Sequence, residues 1–122
     1  MSIVTDVAAI MRCLRCDDHA GTMQSQVAAA LRYAGYFVVL EYPTRDLGDR
    51  RDGRIDIVAT AKSGERIAIE LDARKPRQRS IEKLQLFPGS RVIGLRGVEW
   101  IHLPEGIDDV VCIAVHGAVH AS

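Results

Sequence analysis

Three carboxylates lie in a stretch of the sequence that otherwise has the pattern of two short strands. The segment "GRIDIVATAKSGERIAIELDARKPRQRS" runs from residue 53 to residue 80 and places Asp56, Glu70 and Asp72 among isoleucines. Carboxylate oxygens are the ligands that hard divalent cations such as Mg²⁺ prefer in proteins. The segment therefore indicates cation chemistry, provided that the fold brings these acids together.

A tight hairpin is the element that would bring them together. Residues 62–64 have the composition of a three-residue loop, in which Gly64 takes the left-handed conformation without steric cost. Pairing outward from this loop sets Asp56 directly opposite Glu70. It also sets Arg54 opposite Asp72.

The alternation of side chains predicts that one face of this hairpin is apolar and the other acidic. The apolar face, predicted to meet the core, carries Ile55, Ile57, Ala59, Ile67, Ile69 and Leu71. On the other face, two carboxylates directly opposite each other destabilise a sheet unless something compensates. A divalent cation and neighbouring arginines, such as Arg54 and Arg66, are the two alternatives.

A basic cluster follows the acids immediately. Its members, opposed by Glu82 alone, are Arg74, Lys75, Arg77, Arg79 and Lys83. The whole chain has a net charge of zero, so this is a local patch and not a cationic surface. Such a patch indicates either an anionic partner or the solvated face of a helix.

Length and composition favour one globular domain. The chain has 122 residues, of which 48% are hydrophobic and 26% charged. No run approaches the roughly 20 apolar residues of a membrane span, and the N-terminus lacks the basic opening of a signal peptide. A soluble, cytoplasmic protein is expected. Cys13 and Cys16 have zinc-like spacing but no second ligand pair follows them, so ordinary thiols are expected.

The periodicity predicts a single α/β (α+β) domain with a mixed β-sheet flanked by helices. We expect a helical extension over residues 1–20 and a core over residues 22–97. Predicted helices are 4–15, 23–34 and one that begins near Pro76 and ends before Pro88. Predicted strands cover 36–44, 54–60, 66–72 and 91–95, followed by two more in "EWIHL" and "VVCIAVHGAV".

This order of elements resembles the PD-(D/E)XK nuclease superfamily, which has a restriction-endonuclease-like fold. The resemblance covers about residues 24–95 and is closest to small phage or bacterial members with an "IELD…PR..SIEKL" run. It implies hydrolysis of phosphodiester bonds, in DNA first and in RNA as the alternative, inside a bacterial or phage-infected cell. It also implies Mg²⁺ or Mn²⁺ bound by Asp56, Glu70 and the backbone carbonyl of Leu71.

Two positions depart from the pattern of that superfamily. Ile55 stands where the motif has proline, and Asp72 stands where it has the lysine that stabilises developing charge. Members of the superfamily sometimes supply this cation from elsewhere. The candidates here are Lys83 first, then Lys75, with Arg74 in phase on the strand.

The remaining expectations concern neighbouring residues. Asp72 is expected either to bind a second ion or accept a proton, or to pair with Arg54. Gln24 and Glu41 are candidate supporting residues near the metal. Candidate phosphate-backbone contacts are Arg74, Lys75, Arg77 and Arg79. The late histidines, expected to take no part, are His102, His116 and His120.

Two further expectations concern partners. A homodimer would place two sites on two strands. The helix face of Val4, Val7, Met11 and Leu14 would then pack across the dimer or, more simply, on the protein's own core. Two other functions remain open. One is an inactive nuclease-fold module that binds nucleic acid or a protein, and the other is an assembly or host-takeover protein with no nucleic-acid role.

Overall fold

The computed structural model describes residues 2–116, which form three helices and a six-stranded mixed sheet in one small α+β domain. The helices are α1 (Ile3–Arg12), α2 (Ala20–Tyr33) and α3 (Gln78–Leu86). The strands are β1 (Arg15–Cys16), β2 (Phe37–Pro43), β3 (Arg54–Thr60), β4 (Arg66–Asp72), β5 (Ser90–Arg96) and β6 (Asp109–Val115). The predicted mixed sheet with flanking helices is confirmed.

The strands lie in the order β1-β6-β5-β4-β3-β2. Strands β4, β5, β6 and β1 run parallel, whereas β3 is antiparallel to both β4 and β2. The carboxyl ends of five strands and the amino end of β3 therefore lie at one edge of the sheet. In α/β sheets this edge is the usual position of ligand sites.

Both faces of the sheet are buried. On one face, α1 and α2 pack through residues such as Val7, Met11 and Leu31. On the other face, Leu84 and Phe87 cover the central strands. Because Val7 and Met11 are fully buried in the protein's own core, these two side chains do not face a partner.

The predicted hairpin is confirmed, since Ala61 donates to the carbonyl of Glu65 and Gly64 has a φ of 94°. The pairs from Ile57–Ile69 to Thr60–Arg66 follow the predicted register. The prediction of a single core face is wrong, because α3 and the segment after β5 cover the second face as well.

Strands β2 and β3 also change face beside Asp56. Leu40 and Ile57 pack towards α1 and α2, whereas Tyr42 and Ile55, two residues along each strand, pack towards α3. Regular alternation would keep each of these pairs on one face. Glu41, which lies between Leu40 and Tyr42, has a φ of 53°. This left-handed backbone conformation lies at the point where β2 changes face.

One predicted boundary and one predicted strand are wrong. The first helix ends at Arg12 rather than Arg15, because residues 15–16 pair with β6 instead. The segment "EWIHL" is a loop, because β5 already has a neighbour on each side. Among residues 2–116, no helix has the length and apolarity that crossing a bilayer requires.

Candidate active site

Asp56 and Glu70 meet where β3 and β4 separate. The backbone N–H of Asp56 donates to Glu70 Oε2 over 2.8 Å, and the backbone N–H of Leu71 donates to Asp56 Oδ2 over 2.8 Å. Each carboxylate thus accepts a backbone hydrogen bond at a point where the regular ladder has ended. The adjacency predicted from the hairpin is confirmed, and the two acids are held together by the main chain.

Lys83 supplies the positive charge beside them. Its Nζ lies 2.8 Å from Glu70 Oε1 and donates to the carbonyl of Arg54 over 2.7 Å. The side chains of Lys83 and Glu70 are 11% and 1% exposed. Lys83 is therefore not a solvated helix lysine: the inward face of α3, with Ser80 and Leu84, carries it to the acids.

The arginines considered as compensating charges lie elsewhere. The Arg66 guanidinium stacks over the rings of Tyr42 and Phe87, at 5.4 and 4.9 Å from their centroids. Arg54 is exposed, and its backbone carbonyl is the group that reaches Lys83. Within the described part of the chain, the ion pair of Glu70 is with Lys83 alone.

Burial dominates the electrostatics of this acid site, which we define as Asp56, Glu70 and Lys83. Burial raises the pKa of Glu70, the nearby Asp56 carboxylate raises it further, and the Lys83 ammonium opposes both. Burial likewise raises the pKa of Asp56, against the lowering effect of the Leu71 N–H. Desolvated carboxylates that retain such raised pKa values are typical of functional sites.

The two predicted supporting residues join the site. Gln24 Nε2 donates to Glu41 Oε2 over 2.8 Å and to the backbone carbonyl of Asp56 over 2.9 Å. Gln24, Asp56 and Leu71 line a small pocket of about 200 Å³, together with Arg77 at its rim. The pocket gives a solvent-connected space directly beside Asp56.

Asp72 has a different partner from the one predicted. Its fully buried carboxylate accepts from the Arg77 backbone N–H at 2.9 Å, from Arg77 Nε at 3.0 Å and from Ser80 Oγ at 2.8 Å. The predicted pairing with Arg54 is wrong, because Arg54 pairs with Pro43 of β2, and the pairing of β3 with β4 does not extend to Arg54. Asp72 thus fixes the turn that leads from β4 into α3.

The basic cluster is divided by its ion pairs. Besides Arg77, which binds Asp72, Arg79 binds Asp49, with Nη2 and Oδ2 2.6 Å apart. This pairing is the main reason that the pKa of Asp49 lies well below its usual range. Arg74 and Lys75 are exposed and form no ion pair with any residue from 2 to 116.

Sequence reasoning missed several residues near the site. Asp49 and Ser80, which hold Arg79 and Asp72, carry no sequence signal because their partners are distant in sequence. Arg96, which pairs with Asp18 at 3.6 Å, was missed for the same reason. His102 and His116 are exposed, and His120 lies outside the described residues.

The donor set suits a hydrated hard cation better than a closed metal centre. No group of three or more His, Cys, Asp or Glu side chains suited to a metal occurs within residues 2–116, and Cys13 and Cys16 are free thiols. Asp56, Glu70 and the Leu71 carbonyl would be oxygen ligands, and Mg²⁺ commonly takes one or two carboxylates and keeps several waters. The pocket beside Asp56 leaves room for such waters.

Similarity to known proteins gives no further guidance on this site. No protein-family profile matches the sequence, and comparisons with curated proteins and with solved structures find no similar protein.

Proposed function

We propose that the protein is a nuclease of the PD-(D/E)XK type that hydrolyses phosphodiester bonds, most readily in DNA, with Mg²⁺ or Mn²⁺. The observation that carries the proposal is the contact between Lys83 and Glu70 beside Asp56. It places two desolvated carboxylates and one cation together, although the strand position expected to hold that cation carries Asp72.

In this proposal Asp56, Glu70 and the Leu71 carbonyl hold the cation, which supplies Lewis-acid activation of the phosphate and lowers the pKa of a bound water. Lys83 keeps Glu70 ionised in its buried position. An ammonium has three donors, and the contacts with Glu70 and Arg54 use two of them. The third is free to stabilise negative charge on the attacking water or on a phosphate oxygen.

Gln24 and Asp72 are assigned positioning roles. Gln24 fixes the backbone of Asp56 by bonding its carbonyl and thereby orients the carboxylate towards Leu71. Asp72 holds Ser80 at the start of α3, one helical turn before Lys83. The buried Asp72 carboxylate is already bonded to Arg77 and Ser80, so a second-ion or proton-acceptor role is not proposed.

A second function is favoured by one specific observation. The Lys83–Glu70 pair neutralises one of the two carboxylates internally, as would suit a module that keeps the fold but binds nucleic acid without cutting it. In that case the protein would bind a strand and show no divalent-cation-dependent turnover.

Cleavage of plasmid, single-stranded DNA and RNA with Mg²⁺ or Mn²⁺ tests the proposal. Wild type is compared with Asp56→Asn, Glu70→Gln and Lys83→Met, and with Glu65→Gln as the control. Glu65 is an exposed acid at the tip of the same hairpin. We expect wild type and the control to cut, and the three site variants to lose at least about a hundredfold in rate. Folded wild type that cuts none of the three substrates would refute nuclease activity.

A further inference from the structure

A second, basic cleft lies along the same edge of the sheet. It has a volume of about 500 Å³, and we call it the arginine cleft. Its lining residues are Asp18, Ala73, Arg74, Arg96, Gly97, Val98 and Val115. Strands β1, β4, β5 and β6 each contribute at the carboxyl end: β1 leads to Asp18, β4 leads to Arg74, β5 ends at Arg96 and β6 ends at Val115.

The charges in the cleft are unequal. Two guanidinium groups face one carboxylate, and Arg96 Nη1 lies 3.6 Å from Asp18 Oδ1. The Asp18 side chain is 62% exposed, whereas that of Arg96 is 22% exposed. Exposed ion pairs are worth little, so an incoming anion can replace Asp18 at small cost. Guanidinium forks match the geometry of phosphate oxygens.

The arginine cleft and the pocket beside Asp56 are lined by residues from the same two segments of the chain. The loop before α2 contributes Asp18 to the cleft and Gly21 to the pocket beside Asp56. The segment after β4 contributes Arg74 to the cleft and Arg77 to the pocket. A strand bound with one phosphate at the acid site would therefore pass these arginines along the edge of the sheet.

We infer that the arginine cleft binds a backbone phosphodiester of a nucleic-acid strand between Arg74 and Arg96, with the Asp18 carboxylate as an exchangeable internal counterion. The inference rests on the proposed function for the identity of the polymer. It assigns the phosphate contact to Arg74 and Arg96, and leaves Arg77 and Arg79 with their structural partners Asp72 and Asp49.

Binding without turnover tests this assignment. Fluorescence anisotropy of short labelled single strands, one DNA and one RNA, is measured in EDTA over a series of salt concentrations, with Asp56→Asn present in every protein. The variants are Arg74→Gln, Arg96→Gln and Asp18→Asn, and the matched control is Arg45→Gln. Arg45 is an exposed arginine between β2 and β3 that pairs with Asp52 of the same segment, and neither residue lines the cleft.

We expect Arg74→Gln and Arg96→Gln each to weaken binding on the order of tenfold and to reduce the salt slope by about 0.7. Asp18→Asn should tighten binding by up to about fivefold, because it removes the competing carboxylate. Arg45→Gln should bind like the parent. Arg96→Lys, which keeps the charge but not the fork, should bind more tightly than Arg96→Gln and keep the salt slope of the parent, which separates charge loss from a folding defect.

The outcomes distinguish the cleft from the proposed function. Arginine variants that bind like Arg45→Gln would overturn the cleft, even if the wild-type protein cuts DNA. Absence of binding to both strands by folded protein would overturn it too. Binding that responds as expected, in a protein whose wild type shows no cleavage, would uphold the cleft and refute the nuclease.

Discussion

Replacing Lys83 by methionine tests whether the acid site depends on a buried cation. Methionine keeps the length and the apolar stem of the side chain but removes the ammonium, so the packing of α3 is little changed. Glu70 then remains 1% exposed without its ion-pair partner, and the carbonyl of Arg54 loses a donor. The perturbation is therefore electrostatic and local.

The magnitude follows from the 2.8 Å separation between Nζ and Oε1. At an effective dielectric constant of about 20, the attraction is about 6 kcal/mol, and desolvation of both ions offsets part of it. Removing one partner of a buried pair typically costs about 3–5 kcal/mol. We expect a loss of this size in the free energy of unfolding at pH 8, measured with urea.

The pH dependence of that loss has a definite sign. Burial already raises the pKa of Glu70 above its ordinary value of 4.5, and Lys83 opposes the rise. Without Lys83 the pKa rises further, so the native state takes up a proton as the pH falls. The penalty of Lys83→Met should therefore shrink from pH 8 towards pH 5, since a protonated Glu70 is cheaper to bury.

Two comparisons make this prediction refutable. Glu70→Gln combined with Lys83→Met should recover at least about 2 kcal/mol relative to Lys83→Met alone, because no unpaired carboxylate is then buried at position 70. Lys62→Met, at the exposed tip of the hairpin, should change stability by less than about 0.5 kcal/mol. A Lys83→Met loss below about 1 kcal/mol at pH 8, with no recovery in the double variant, would refute a buried ion pair.

Two further perturbations test contacts elsewhere in the fold. Burial, followed by a hydrogen bond to Asp6, raises the pKa of Tyr36 to about 12, so the stability that Tyr36 contributes is complete below pH 10 and is lost as the pH rises towards 12. Tyr36→Phe should remove this loss of stability in alkaline urea titrations. The ultraviolet absorbance of wild type should show a late-titrating phenol that Tyr36→Phe lacks. A wild-type titration in which every phenol ionises near pH 10 would contradict the raised pKa of Tyr36. Gly53→Ala would place a Cβ against the Arg79 guanidinium, which Asp49 holds, and should cost about 1–3 kcal/mol. Arg79→Ala should cost a similar amount, and the two losses should not add in the double variant; full additivity would show that the contact is not shared.

The sequence allowed the hairpin and the meeting of Asp56 with Glu70 to be predicted, because both follow from local turn chemistry and strand alternation. The change of face at these acids was not predictable in the same way. It coincides with a φ of 53° at Glu41 on a neighbouring strand, which no local pattern signals. The burial of the second face was not predictable for a related reason: the sequence pattern of Val58 and Ala68 does not show that α3 covers them.

The loop after β5 shows the opposite failure. The apolar residues of "EWIHL" alternate like a strand, yet Ile101 and Leu103 are 86% and 56% exposed. Strand propensity is insufficient without a partner strand, and both sides of β5, the strand that precedes this segment, are already paired with β4 and β6. Competition for strand partners is a tertiary property, so periodicity alone could not identify the loop.

The position of α3 connects these observations. Asp72 occupies the strand position where a lysine was expected, and its carboxylate binds Ser80 and the backbone of Arg77. That contact fixes the start of the helix, and one turn later the same helix delivers Lys83 to Glu70. The acid at position 72 thus takes part in bringing a cation to the site from another element. It follows that a lysine restored at position 72 would not simply repair the motif, because it would place a second buried cation near Lys83 and remove the acceptor that anchors α3.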